Sequence, residues 1–255
     1  MDPDTPLSFN QTVRGITEFI EVATHTILYV RQVYPAEIFV RRKKYNTPVF
    51  QSRHPALNEY ISGAVKAVAD ELMLVHGNVH KVVVVIKNNE DVALERFIFA
   101  MQNMIQVEAY NKETGYATFD ASEHLIHSST YSVEDAMTAS VLGQYFRSFL
   151  IKLSMVESQL GQLGLGDDLS FAIVIELKDD KMPTVTHGKD PPPWIPATLD
   201  NTTTGTSEQA ELHMLRAVDT GIINLSFAVQ ESEFKLNMEK SSTASSSGKG
   251  KERAV

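Results

Sequence analysis

The chain has 255 residues, of which 43% are hydrophobic and 22% charged, with a formal net charge of −9. That is enough length and apolar content for a proper core, and the acidic balance argues against a surface given over wholly to nucleic acid. There is no cysteine, which excludes disulfides and thiolate metal sites, and no apolar run approaches the roughly 20 residues that span a bilayer. The opening MDPDTPLSFNQ has neither the basic nor the apolar region of a signal peptide, so a soluble intracellular protein is expected, with no membrane contact.

In chain order, residues 10–34 read as a long amphipathic helix. Val13, Ile16, Ile20, Ala23, Ile27, Val30 and Tyr34 recur at steps of three and four, and Pro35 stops the pattern. The breadth of this face predicts a central helix packed on several sides. A second helix is expected from Pro55, a favoured first-turn proline, through Leu57, Ile61, Val65 and Val68 to about Leu74, with Gly77 ending it. The run KVVVVIK (81–87) then changes the period to that of a buried strand. After the turn NNED, VALERFIFAM (92–101) returns as its antiparallel partner.

Residues 102–131 are polar and read as a loop or insertion. A third helix is expected from Ser132 to Leu160, started by a capping box of Ser132 and Asp135. Val141, Tyr145, Phe149 and Leu153 form its apolar face, thickened by Leu142, Phe146 and Leu150. LSFAIVIEL (169–177) reads as another buried strand. Residues 178–209 are rich in Pro, Thr, Gly and Asp, an irregular segment long enough to be functional or disordered. AELHMLRAV (210–218) and GIINLSFAVQE (221–231) are weaker strand candidates, and the Ser/Gly/Lys-rich end reads as a disordered tail.

The search for chemistry finds little. GQLGLGDD (161–168) follows a helix and lacks the lysine of a phosphate loop, so it reads as a helix-ending turn. His76 with His80, and His124 with His127, have suggestive spacings, yet no H-E-x-x-H arrangement accompanies them; no metal or other cofactor is expected. No nucleophile elbow is present, and an enzyme is not expected. Two interaction candidates remain. One is PPPWIP (191–196), which carries the lone Trp194 in a proline-rich loop. The other is the run Arg41, Arg42, Lys43, Lys44, which fits a nucleic-acid handle, a nuclear address or a protein-facing rim.

The runs at 19–61 and 81–101 closely resemble the HORMA-domain family, and within it the accessory-subunit branch of translesion DNA polymerase zeta. GQYFRSFLIKLS (143–154) and PPWIP (192–196) continue the likeness in order, over about residues 7–235. The resemblance implies an α/β (α+β) domain at 1–235, with three main helices packed on an antiparallel sheet. A C-terminal safety belt, about 178–235, closes over a partner peptide, and a disordered tail fills 236–255. It further implies a non-catalytic nuclear adaptor. Such an adaptor clasps a proline-containing peptide of the polymerase's catalytic subunit and bridges it to a deoxycytidyl-transferase inserter polymerase, reaching DNA only through these enzymes. Tyr60 and Trp194 match the family's peptide-gripping residues, Arg147 an arginine of HORMA–HORMA pairing, and Leu212 a leucine that contacts the second polymerase. The family's polar and aromatic contacts on the last strand stand here as Ser226 and Ala228. A spindle-checkpoint or meiotic HORMA adaptor, and a DNA-binding module built on residues 41–44, are the alternatives.

Overall fold

Strands from both halves of the chain meet in one sheet, and a long helix lies against its inner face. The computed structural model describes residues 5–73, 79–103, 137–160, 163, 169–178, 183, 194–238 and 240. Helix α1 (Phe9–Val30) starts at Ser8, whose hydroxyl accepts from the Gln11 N–H while the Gln11 amide oxygen accepts from the Ser8 N–H, a reciprocal capping box. Ile16, Phe19, Ile20, Ala23 and Ile27 are fully buried, as a central helix requires.

The helix ends at Val30 and does not reach Tyr34. Gln32 adopts a left-handed φ of 51°, and the Val33 N–H reaches back to the Leu28 carbonyl, a C-terminal closure that stops the helix before Pro35. An unforeseen hairpin follows, β1 (Phe39–Lys44) and β2 (Thr47–Ser52). Its two-residue turn places Tyr45 and Asn46 both at positive φ, 47° and 56°. Helix α2 (Pro55–Met73) begins at the expected proline.

The main sheet has the order β5-β3-β4-β7-β6, every neighbour antiparallel. Its strands are β3 (Val79–Lys87), β4 (Ala93–Asn103), β5 (Ser170–Leu177), β6 (Glu211–Asp219) and β7 (Ile223–Glu231). Both weaker strand candidates are therefore strands, and they form the hairpin at one end of the sheet. Between β3 and β4, Asn88 Oδ1 accepts from the N–H groups of Glu90 and Val92, and Asp91 sits at φ 62°, so NNED turns as expected.

Helix α3 (Ala139–Ser154) corrects the expected start at Ser132. Thr138 is its N-cap, in extended backbone, and the preceding Met137 exchanges main-chain bonds with Leu7 and Thr220. That pairing commits 137–138 to an extended path, so one continuous helix from 132 cannot form; Ser132 and Asp135 themselves lie outside the described residues. The helix also stops at Ser154, and a short turn α4 (Glu157–Leu160) follows. Leu142, Phe146, Phe149, Leu150 and Leu153 are the buried face, whereas Val141 is exposed and Tyr145 only half-buried.

The sheet's two faces differ. The helix side carries an aromatic cluster: Phe19 stacks on Phe146 at 4.5 Å and meets Phe149, Phe99 and Phe227 at tilted or edge-on angles. The outer face carries the smaller cluster of Val83, Val85, Ala93, Ile98 and Val174. At the inner rim lies a buried charge network. Arg31 donates two bonds to Glu95, and Lys235 donates to Glu95, to Glu231 and to the Leu160 carbonyl. Lys235 belongs to a helical turn at 233–238, so helical backbone runs into the first residues of the expected tail; 241–255, like 104–136, lie outside the described residues.

Candidate peptide-binding edge

β5 is the terminal strand of the sheet, and among the described residues no strand pairs with its other side. An antiparallel ladder turns alternate residues toward alternate neighbours. The Ile173 N–H points away from β3, because it donates to the Tyr60 hydroxyl at 3.1 Å. By the period of two, the backbone groups of Phe171, Ile175 and Leu177 face the same way. This is an open template for an added strand.

Tyr60 reaches the edge from α2. Its ring meets Phe171 edge-on at 5.4 Å, and Tyr34 approaches Phe171 from the end of α1 at 6.2 Å, again edge-on. Burial, and then the nearby Tyr60, raise the Tyr34 pKa above the ordinary phenol value. Tyr60 is 45% exposed, so one side of this aromatic group remains available. Trp194, half-buried, packs against the helix-side core. Ile195 beside it is exposed.

By residues 200–203 the chain lies on the sheet's outer face. Thr203 opens a 3-10 turn (Thr203–Gly205) and donates both its N–H and its hydroxyl to Glu176 of β5, each at 2.6 Å. Lys81 of β3 donates to Glu176 at 3.1 Å and to the Thr203 hydroxyl at 2.8 Å. Arg96 of β4 donates to the Asp200 carbonyl at 2.5 Å. Burial pushes the Glu176 carboxyl up, but the bonds from Thr203 and the Lys81 ammonium outweigh it, so its pKa lies below the usual carboxylate value. The other end of this crossing is β6, at the opposite margin of the sheet from β5.

The remaining expected site residues lie elsewhere. Arg147 is exposed on α3. Leu212 is 58% exposed on β6, opposite Gln230, with the exposed Met214 opposite Ala228. Four strand spacings separate β6 from β5, about 19 Å, so Leu212 and Tyr60 belong to distinct surfaces. Of the basic run, Lys44 pairs with Glu18, while Arg41, Arg42 and Lys43 are exposed on β1.

Of the histidines, His80 is an exposed residue of β3, and His76, His124 and His127 lie outside the described residues. One cluster with metal-ligating atoms does occur: those of Glu211, His213 and Glu231 all lie within 4.8 Å of one another. His213 Nε2 sits 3.1 Å from Glu231, whose other oxygen is held by Lys235, so the charge network already accounts for the group. Sequence reasoning missed Tyr34, Phe171, Glu176 and Thr203. Phe171 and Glu176 stand in a run read only as a buried strand, and Thr203 lies in a run of three threonines that carried no periodic signal.

The family model described as the HORMA domain matches residues 13–222. The chain belongs to the HORMA-domain family. Its α+β architecture is that of solved HORMA proteins. The structure titled "Crystal Structure of Mitotic Checkpoint Complex" superposes with a TM-score of 0.61 at 19% identity, covering 86% of this chain and 98% of that one. A second, "C. elegans HTP-2 bound to HTP-3 closure motif 1", gives a TM-score of 0.59 at 10% identity, covering 88% and 87%. By sequence, this chain is 30% identical over 240 residues to the Gallus gallus protein named Mitotic spindle assembly checkpoint protein MAD2B, covering 90% of this chain and 95% of that one. It is 40% identical over 104 residues to the DNA polymerase zeta processivity subunit of Schizosaccharomyces pombe, covering 41% of this chain and 48% of that one.

Proposed function

We propose that this HORMA domain is a non-catalytic, nuclear accessory subunit of translesion DNA polymerase zeta. It clasps a proline-containing segment of the catalytic subunit along β5, under a belt of about residues 178–235. The observation that carries the reading is the open β5 edge, with Tyr60 on the Ile173 N–H and the Trp194 segment leading into the crossing chain. Relatives named for polymerase zeta in Schizosaccharomyces pombe and Arabidopsis thaliana, and a structural neighbour titled as bound to a closure motif, support it. An extended segment would satisfy the edge through main-chain bonds, while Tyr60 and Trp194 grip its prolines.

The same reading assigns Leu212 and its surroundings on β6 to the deoxycytidyl-transferase inserter polymerase. Arg147 on α3 is assigned to pairing with a second HORMA domain. Holding two enzymes on opposite margins of one sheet raises their effective concentration to roughly millimolar, which explains an adaptor role in DNA-damage bypass without chemistry of its own.

The test is titration of a labelled proline-containing peptide of the catalytic subunit. Saturable binding by the wild type, lost in Tyr60→Ala combined with Trp194→Ala, is expected. No wild-type binding, or undiminished binding by the double variant, overturns the proposal. A second reading, a spindle-checkpoint or meiotic adaptor, is favoured by the names of the vertebrate relatives, and tighter binding of checkpoint or meiotic partner peptides in the same titration would select it. A third reading makes Arg41, Arg42 and Lys43 a direct DNA contact. Salt-sensitive affinity for bare DNA that vanishes when they are neutralised would favour it.

A further inference from the structure

We infer that Glu176 is the positioning residue that fastens the crossing chain to the partner-binding strand, and so sets how long a captured segment stays bound. The inference rests on the peptide-clasping function proposed above and names the bond that would hold the clasp shut.

β5 does two things at once. Its backbone offers the open edge, and its outer face carries Glu176, with a side chain only 13% exposed. Both carboxylate oxygens are used. Oε1 accepts the Thr203 N–H and Oε2 accepts the Thr203 hydroxyl and the Lys81 ammonium. The Thr203 N–H heads a 3-10 turn and has no partner within that turn, so the carboxylate supplies the acceptor this donor needs.

The fold of the crossing chain is built to present that donor. The two 3-10 turns, Leu199–Asn201 and Thr203–Gly205, double back so tightly that a Cβ on Gly205 would lie 1.9 Å from the Leu199 carbonyl oxygen. Only glycine fits there. Arg96 holds the Asp200 carbonyl three residues before Thr203, which makes a second attachment on β4. Of these attachments only Glu176 joins the crossing chain to β5, the strand beside which a partner would lie. Breaking it opens the path by which a segment leaves and, because a segment arrives by the same path, both rate constants rise.

The experiment compares the wild type, Glu176→Ala and Thr203→Val in two measurements. In the free protein, hydrogen exchange is read at residues 199–206 and at β3 and β4. The expected result is loss of protection at the Thr203 amide in Glu176→Ala, with β3 and β4 unchanged. An unchanged Thr203 amide, or loss spread over the whole sheet, overturns the inference without any peptide being present. With the peptide used above, association and dissociation rates are recorded separately. Glu176→Ala is expected to raise the dissociation rate about tenfold and Thr203→Val, which keeps its N–H bond to Glu176, by less, with neither lowering the association rate. Adding Thr203→Val to Glu176→Ala is expected to change dissociation by less than about twofold, since the acceptor of both Thr203 bonds is then already gone. Unchanged dissociation in variants that still bind refutes the fastening role. A wild type that binds no peptide refutes the proposed function, and the exchange result then decides the Glu176 contact by itself.

Discussion

Replacing Lys235 with methionine tests whether the buried charge network holds the C-terminal turn and hairpin to the core. The side chain is 4% exposed and donates to Glu95 at 2.8 Å, to Glu231 and to the Leu160 carbonyl. Methionine keeps most of the stem and removes the charge. Glu95 would keep both bonds from Arg31, at 2.9 and 2.7 Å, so the loss falls on Glu231, left with His213 at 3.1 Å, and on one carbonyl. Removing one partner of a buried pair costs about 3–5 kcal/mol, and the surviving His213 contact places this case near 3 kcal/mol. For a domain above about 150 residues that lowers Tm by about 6–12 °C. Burial pulls the Lys235 pKa down, but Glu95 and Glu231 outweigh it and the net shift is upward. The stabilisation is therefore complete below the ordinary lysine value of about 10.4 and disappears as pH rises through the higher native value. Urea unfolding at neutral pH measures the loss, and the gap between wild type and variant should close at strongly alkaline pH. A variant within about 0.5 kcal/mol of the wild type would refute the reasoning. So would a further loss, in place of a recovery, when Glu231→Gln is added to relieve the stranded carboxylate.

Two more perturbations probe other parts of the fold. His25 is 4% exposed, its Nδ1 accepts the Ser52 N–H at 3.4 Å, and burial lowers its pKa to about 4. The unfolded chain takes up that proton near pH 6.5, so stability should fall by about 3 kcal/mol between neutral pH and pH 4. His25→Asn should show a shallower acid slope in urea unfolding, and equal slopes would show that the imidazole is not buried neutral. On the assignment of β6 proposed above, Leu212→Arg should weaken capture of the inserter polymerase at least tenfold and leave peptide binding at the β5 edge unchanged, since about 19 Å separates the two margins. Loss of both activities in parallel binding assays would show that the surfaces are not independent.

The legible parts of the fold were those where burial imposes a simple period. α1 and α2 announce themselves through one apolar face, and Pro55 marks its helix start. β3 and β4 stand out because strands covered on both faces need continuous Val, Ile and Phe. The β1–β2 hairpin escaped because its first strand carries four successive cations in place of an alternation, and because Tyr-Asn is a weaker signal for a two-residue turn than Asn-Gly. The start of α3 was misplaced because Ser132 and Asp135 imitate a capping box, while Thr138 is committed by an extended pairing with the N-terminal segment that no local pattern reveals. Long-range polar contacts were invisible for the same reason. Arg31 and Glu95 are 64 positions apart, and Glu95 and Lys235 are 140 apart. At the candidate site, Tyr60 was reached through family likeness alone, because a tyrosine within an amphipathic helix announces nothing, whereas the lone Trp194 stood out by its proline-rich loop. The partners that give Tyr60 meaning, Phe171 and the Ile173 N–H, become apparent only once β5 is known to end the sheet.

The strand order has a topological consequence. β5 and β6 are consecutive strands of the main sheet, yet they occupy its two opposite margins, and residues 178–210 must bridge that width. A segment lying along β5 beneath this bridge would be threaded through a loop of chain closed by the pairing of β7 with β4. A thread with a bulky domain at each end cannot slide out, however weak its contacts. Its escape would require the Glu176–Thr203 contact to part and the β6–β7 hairpin to strip from β4, carrying the loop away. The lifetime of such a complex would then be set by local unfolding of this domain more than by the affinity of the bound peptide.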